Sequence, residues 1–95
     1  MFDRTFFERQ FLDQVQAFCR EQKIAAPVVE LLLDDGSVLR LEAIGQVREN
    51  WLALKASAES GNTRLILCPY FSIKRITFSA PTAKSAVVFS LPAKP

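Results

Sequence analysis

The stretch Val28–Lys55, VVELLLDDGSVLRLEAIGQVRENWLALK, decides the fold. Val28–Leu33 is a β-branched and Leu-rich run, and Asp34-Asp35-Gly36-Ser37 ends it. An Asp-Gly pair between two apolar runs marks a hairpin, because the turn needs positive φ and these residues tolerate it. The next run, Val38–Val47, alternates: Leu39, Leu41 and Ala43 share one face, and Arg40 and Glu42 share the other. A two-residue period is the signature of a half-buried strand. Gly45 interrupts this run, and a glycine inside a strand marks a bulge or sharp bend. Glu49-Asn50 then reads as a tight turn into a third strand over Trp51–Ala56.

Downstream, Ser57–Asn62 is a polar loop and Thr63–Cys68 a fourth strand. Pro69 ends that strand, since proline cannot donate to a ladder. Tyr70-Phe71-Ser72 makes a short corner into a fifth strand, Ile73–Phe78. Upstream, Asp3–Ile24 reads as a helix. Phe7, Phe11, Val15 and Phe18 recur at helical spacing, with Leu12 and Cys19 beside them and Arg9, Asp13, Gln16 and Arg20 opposite. Thr5 and Glu8 have capping-box spacing, and Asp3 is a rival cap. Pro27 lies just past the helix end and disfavours helix at the preceding residue. Helix, then five short strands with brief links, is the pattern of a mainly β domain: a strongly bent five-stranded antiparallel barrel under an amphipathic helix.

The chain's 95 residues make one domain, expected over 1–80, with 81–95 as a C-terminal arm or tail. Within the latter, Ala86–Leu91 is a β-prone island, read as an ordered strand or arm. Eight Phe against one Trp and one Tyr point to a dry core or interface. Cys19 and Cys68 fall in apolar runs and read as small core residues. There is no signal-peptide pattern and no apolar run near the ~18 residues that cross a membrane. The expected compartment is the reducing cytoplasm, with no membrane partner.

Net charge is +2, too small to require a polyanionic partner, but its distribution is uneven. Residues 25–62 carry six acids against three bases, whereas residues 63–95 carry five bases (Arg64, Lys74, Arg75, Lys84, Lys94) and no acid. That last third is either an ordinary solvated face or a local positive field.

Enzyme templates fail early. The chain has no His, which excludes Ser-His and Cys-His pairs and every His-containing metal site. Its three Gly form no phosphate-cradling loop. The only adjacent carboxylates, Asp34 and Asp35, are explained by the hairpin turn. The expectation is a non-enzymatic protein without cofactor or metal. Trp51 and Tyr70 are candidate stacking platforms for a base, or packing residues at strand ends with polar tips at the surface. Lys74 and Arg75 give a basic pair near Tyr70.

The layout resembles the Sm-like family, which includes bacterial Hfq. Val28–Lys55 and Thr63–Phe78 (TRLILCPYFSIKRITF) carry the resemblance, and with the helix it covers residues 3–78. It implies a homo-oligomeric ring in which the fourth strand of one subunit pairs with the fifth of the next. The subunit interface would then involve Arg64, Leu65, Ile66 and Leu67 on one edge and Ile73, Ile76 and Phe78 on the other. The family's usual activity, binding of single-stranded RNA, would place contacts at Tyr70, Lys74, Arg75, Trp51 and Asn50. Leu41 stands where the family commonly has Gly in its second strand, and Pro69-Tyr70 where Hfq has a Lys-His pair. Two readings follow: a ring that binds RNA or scaffolds around it, or a protein–protein interaction module on the same barrel, using the Phe-rich helix and the Ala86–Leu91 arm.

Overall fold

The computed structural model describes residues 2–57, 62–82 and 88–90. A helix opens the chain: a π turn over Phe6–Gln10 runs into α1, Phe11–Gln22. Asp3 wins as the cap, its Oδ1 accepting from the Phe6 N–H at 2.9 Å. Thr5 already has helical dihedrals and makes no cap bond, and Glu8 instead pairs with Arg4 one turn back. The helix ends in a Schellman motif. Lys23 takes the left-handed conformation (φ 56°), its N–H reaches Arg20 O, and Ile24 N–H reaches Cys19 O at 3.0 Å. Phe7, Phe11, Val15 and Cys19 are buried, and Leu12 and Phe18 are half-buried beside them, as the helical period predicts.

Five antiparallel strands follow: β1 Val28–Leu33, β2 Val38–Val47, β3 Trp51–Ser57, β4 Thr63–Pro69 and β5 Ile73–Ser79. Their order in the sheet is β4-β3-β2-β1-β5. The β1–β2 link is the expected hairpin. Within this turn Gly36 takes positive φ (+87°), its N–H returns to Leu33 O, and Asp35 Oδ1 accepts from both the Ser37 N–H and the Ser37 hydroxyl. These bonds favour the ionised carboxylate and hold the Asp35 carboxyl below its ordinary pKa.

β2 is long because it bends. Its first residues pair with β1 (Leu41 with Val29), and its later ones pair with β3 (Val47 with Leu52). The register slips twice, between Leu41 and Ala43 and between Ile44 and Gln46. Gly45 is the extra residue in the second slip, and a Cβ there would sit 3.4 Å from Ala53 O. Glu42 is the extra residue in the first.

The corner requires the sheet to curl. A 3₁₀ turn, Tyr70–Ser72, is all that separates β4 from β5. Four residue steps from Pro69 to Ile73 reach at most about 14 Å. In a flat sheet of this order β4 and β5 lie four strand spacings apart, about 19 Å. The expected barrel is nevertheless not closed: β4 and β5 do not pair, and each ends the sheet with an open side.

The core fills the concave side. Leu31, Leu41, Leu52, Leu54 and Val29 meet Phe11 and Val15 of the helix. The C-terminal segment contributes too. Phe89 is 1% exposed and meets Phe11 edge-on, with ring centroids 5.5 Å apart. Phe89 N–H donates to Pro27 O (2.8 Å) and Ser90 N–H to Glu42 O (2.7 Å), at the first bulge of β2. Val88–Ser90 is therefore a docked segment without strand pairing. The rest of the Ala86–Leu91 island lies outside the described residues, as does most of the β3–β4 loop.

Candidate functional site: two open sheet edges and a basic corner

The expected interface residues divide by burial. On β4, Leu65 is 66% and Leu67 61% exposed. Both project from the convex face, opposite Lys55 and Ala53 of β3. Arg64 is exposed and Ile66 half-buried. On β5, Ile73 is buried, while Ile76 and Phe78 are half-buried against the core, facing Leu31 and Val29 of β1. Large apolar side chains this exposed on an unpaired strand are a pairing template, and natural edges usually suppress them.

The expected RNA-contact residues divide as well. Tyr70 is 5% exposed. Its ring stacks on Phe7 (centroids 5.7 Å apart, 26° between planes), and its hydroxyl donates to Arg48 O at 2.5 Å. Burial pushes its phenol up. The Tyr70 ring is thus held in packing contacts. Trp51 is half-buried at the end of β3, opposite Pro69. Asn50 is exposed, and its carbonyl accepts from Tyr70 N–H at 3.4 Å. Asn50, Trp51 and Tyr70 thus meet at the β2–β3 turn.

Lys74 and Arg75 are exposed at the start of β5. The β1–β5 register slips there: Leu33 pairs with Ile73 and Leu32 with Arg75, which leaves Lys74 as a bulge. Bulges re-aim side chains and recur near functional sites. Neither base takes part in an ion pair among the described residues.

Phe71 was not singled out by sequence reasoning. It is 61% exposed, beside Lys74, on the rim of a cleft of about 480 Å³ that Phe2, Phe6 and Ile73 also line. The signal was present in the triplet Tyr70-Phe71-Ser72. With three residues per turn, successive side chains of a 3₁₀ turn point about 120° apart, so a buried Tyr70 directs Phe71 outward. A second cleft of about 480 Å³ lies between the helix and β2, lined by Leu12, Ile44, Val47 and Phe89 among others.

Among the described residues, no group of three His, Cys, Asp or Glu is placed to hold a metal ion, and no helix is long and apolar enough to cross a membrane. Cys19 and Cys68 are both buried and unpaired, and burial pushes the Cys68 thiol up. Compared with protein families, with curated proteins and with solved structures, the chain matches none.

Proposed function

We propose that this chain is a self-assembling scaffold that forms a Sm-like ring, β4 of one copy adding to β5 of the next. The observation that carries this reading is the pair of open edges at opposite ends of one curled sheet. Each edge strand leaves a row of backbone N–H and C=O groups unpaired, so a head-to-tail contact between β4 and β5 satisfies both edges and can close by rotation. In an antiparallel continuation, Ile66 and Cys68 extend the inward row that Ile76 and Phe78 begin. Light scattering across a dilution series tests this. With 10.7 kDa per copy, a ring of five to eight copies has a mass of about 54–86 kDa. A mass of one copy at every concentration overturns the proposal.

A second reading, single-stranded RNA binding, is favoured by Phe71. It offers an exposed aromatic face beside Lys74 and Arg75, which Tyr70 does not. Stacking on one aromatic is worth about 1–3 kcal/mol per base. Anisotropy with U-rich and A-rich oligonucleotides at low salt should show binding that Phe71→Ala weakens by about tenfold or more. Absence of binding to either removes this reading. Some of the contacts expected for a protein-interaction module are used within the chain. Phe7 and Phe11 are spent on the core and Phe89 on its own groove, so Leu65, Leu67 and Phe71 remain as exposed apolar anchors.

A further inference from the structure

We infer that the cleft at the β4–β5 corner binds an alkyl carboxylate, with the hydrocarbon chain against Phe2, Phe6, Phe71 and Ile73 and the carboxylate on Lys74. The cleft lies within one copy, so binding does not depend on assembly. Its volume, about 480 Å³, falls in the range of small-molecule sites, which are mostly apolar with a few placed polar groups. Four of the side chains that line it are pure hydrocarbon, and the fifth is an ammonium. Phe2 and Phe6, at the N-terminal end of the chain, lie in contact, with centroids 4.9 Å apart and 55° between planes. Phe71 is 61% exposed and meets no other ring among the described residues. Its apolar surface is therefore available to cover a ligand.

Among the described residues, Lys74 is the only charged one that lines the cleft, and its ammonium takes part in no ion pair there. Arg75 stands on the convex face with Thr77, whose partner on β1 is Glu30, and does not line the cleft. The Asp3 carboxylate accepts from Phe6 N–H, and Asp34 belongs to the β1–β2 hairpin; neither acid lines the cleft. An unpaired ammonium beside an apolar wall matches an anionic head on an apolar body. One ammonium balances one charge, which favours a carboxylate over the more highly charged phosphate monoester. The body has to be hydrocarbon. Phe6 N–H is already used by Asp3 and Ile73 N–H by Tyr70 O, and no lining side chain accepts a hydrogen bond. Amide or hydroxyl groups on the buried part of a ligand would go unpaired there, which costs affinity. That disfavours a nucleobase, whose edges need such partners. The tilt between Phe2 and Phe6 makes a folded wall, which a flexible chain follows more fully than a rigid planar ring.

The test is isothermal titration calorimetry of the full chain with octanoate, compared with acetate, octylammonium, naphthoate and uridine monophosphate. Octanoate should bind at least about tenfold more tightly than acetate, which has the head without the body. It should also bind at least about tenfold more tightly than octylammonium, which has the body with the opposite charge. Lys74→Gln should abolish that second preference, and Phe71→Ala should weaken octanoate by about fivefold or more. The variant Leu65→Ser/Leu67→Ser changes exposed apolar residues that do not line the cleft, and it should leave octanoate binding unchanged. Absence of octanoate binding overturns the inference. So does binding that Lys74→Gln leaves unaltered, or that Leu65→Ser/Leu67→Ser removes. Naphthoate binding more tightly than octanoate overturns the choice of an alkyl body. Binding of uridine monophosphate without octanoate overturns it in favour of base stacking at Phe71. A single copy that binds octanoate supports the inference while removing the ring reading, so the two fail separately.

Discussion

Replacing Phe89 by Ala tests whether the segment after the sheet belongs to the fold. Phe89 is 1% exposed, meets Phe11 edge-on and sits between two backbone hydrogen bonds, to Pro27 and Glu42. Full burial of a Phe side chain is worth about 1.5–3 kcal/mol by transfer alone. The edge-to-face contact adds about 0.5–1.5 kcal/mol. The cavity left behind raises the usual cost of Phe→Ala to about 3–5 kcal/mol. Phe89 borders the cleft between the helix and β2, whose walls can relax into the space it leaves, so the expected cost lies near the lower end, about 3 kcal/mol. For a chain of this length total stability is about 5–14 kcal/mol, so one substitution removes a large share of it. Urea unfolding followed by far-UV circular dichroism should show a lower midpoint with an unchanged slope. Val88, 37% exposed, is the control, and its change to Ala should cost under about 0.5 kcal/mol. A Phe89→Ala cost as small as that of Val88→Ala refutes the docking of this segment and the packing reasoning with it.

Tyr70→Phe keeps the ring on Phe7 and removes the bond to Arg48 O, so it should cost about 0.5–1.5 kcal/mol in the same assay. Lys23→Gly relieves a left-handed non-glycine residue at the Schellman position and should stabilise by about 0.5–1 kcal/mol, the gain being reduced by the greater freedom of glycine in the unfolded chain. Gly36→Ala places a Cβ at φ +87° and should destabilise by about 1 kcal/mol, although no neighbouring atom is within 4 Å of that Cβ. The Asp35 carboxyl is lowered by its bonds to Ser37, so its contribution is complete above the ordinary Asp range and lost as pH falls through the lowered value; an acid titration of stability should lose that step in Asp35→Asn.

Much of the fold was legible because its signals are local. Asp35-Gly36 marks the hairpin, Gly45 marks a bend in β2, and the Phe7–Cys19 stripe marks the helix face; each depends on residues within one or two turns of chain. The slips at Glu42 and Lys74 carry no Gly or Pro to mark them; the one at Lys74 arises from matching β5 to the distant β1, while the one at Glu42 lies within the consecutive β2–β3 pair. The choice of Asp3 over Thr5 as cap could not be read from spacing, because both placed an oxygen near free amides; the π turn and the Arg4–Glu8 pair settle it. Phe89 was legible as apolar but not as core, since its partners Pro27 and Phe11, and Glu42 that holds Ser90, lie far away in the chain. At the candidate site Lys74 and Arg75 are exposed, and the aromatic exposed beside them is Phe71 while Tyr70 is buried. The difference is one residue of phase in a three-residue turn, and periodicity cannot fix phase over so short a run.

The corner that exchanges those two aromatics also leaves the sheet open. β4 and β5 have equal length and follow each other in the chain, the arrangement that a tight hairpin would pair. Such a pairing would close the barrel and consume both edges. Here the corner's backbone bonds to other elements instead: Tyr70 N–H donates to Asn50 O, and Ser72 O accepts from Asp34 N–H. One bond fastens the corner to the β2–β3 turn and the other to the β1–β2 turn, so the strands leave it toward different neighbours. Tyr70 reinforces the first attachment through its hydroxyl on Arg48 and its ring on Phe7. The buried aromatic of the corner therefore holds the open edges apart, and the exposed one marks the surface they border.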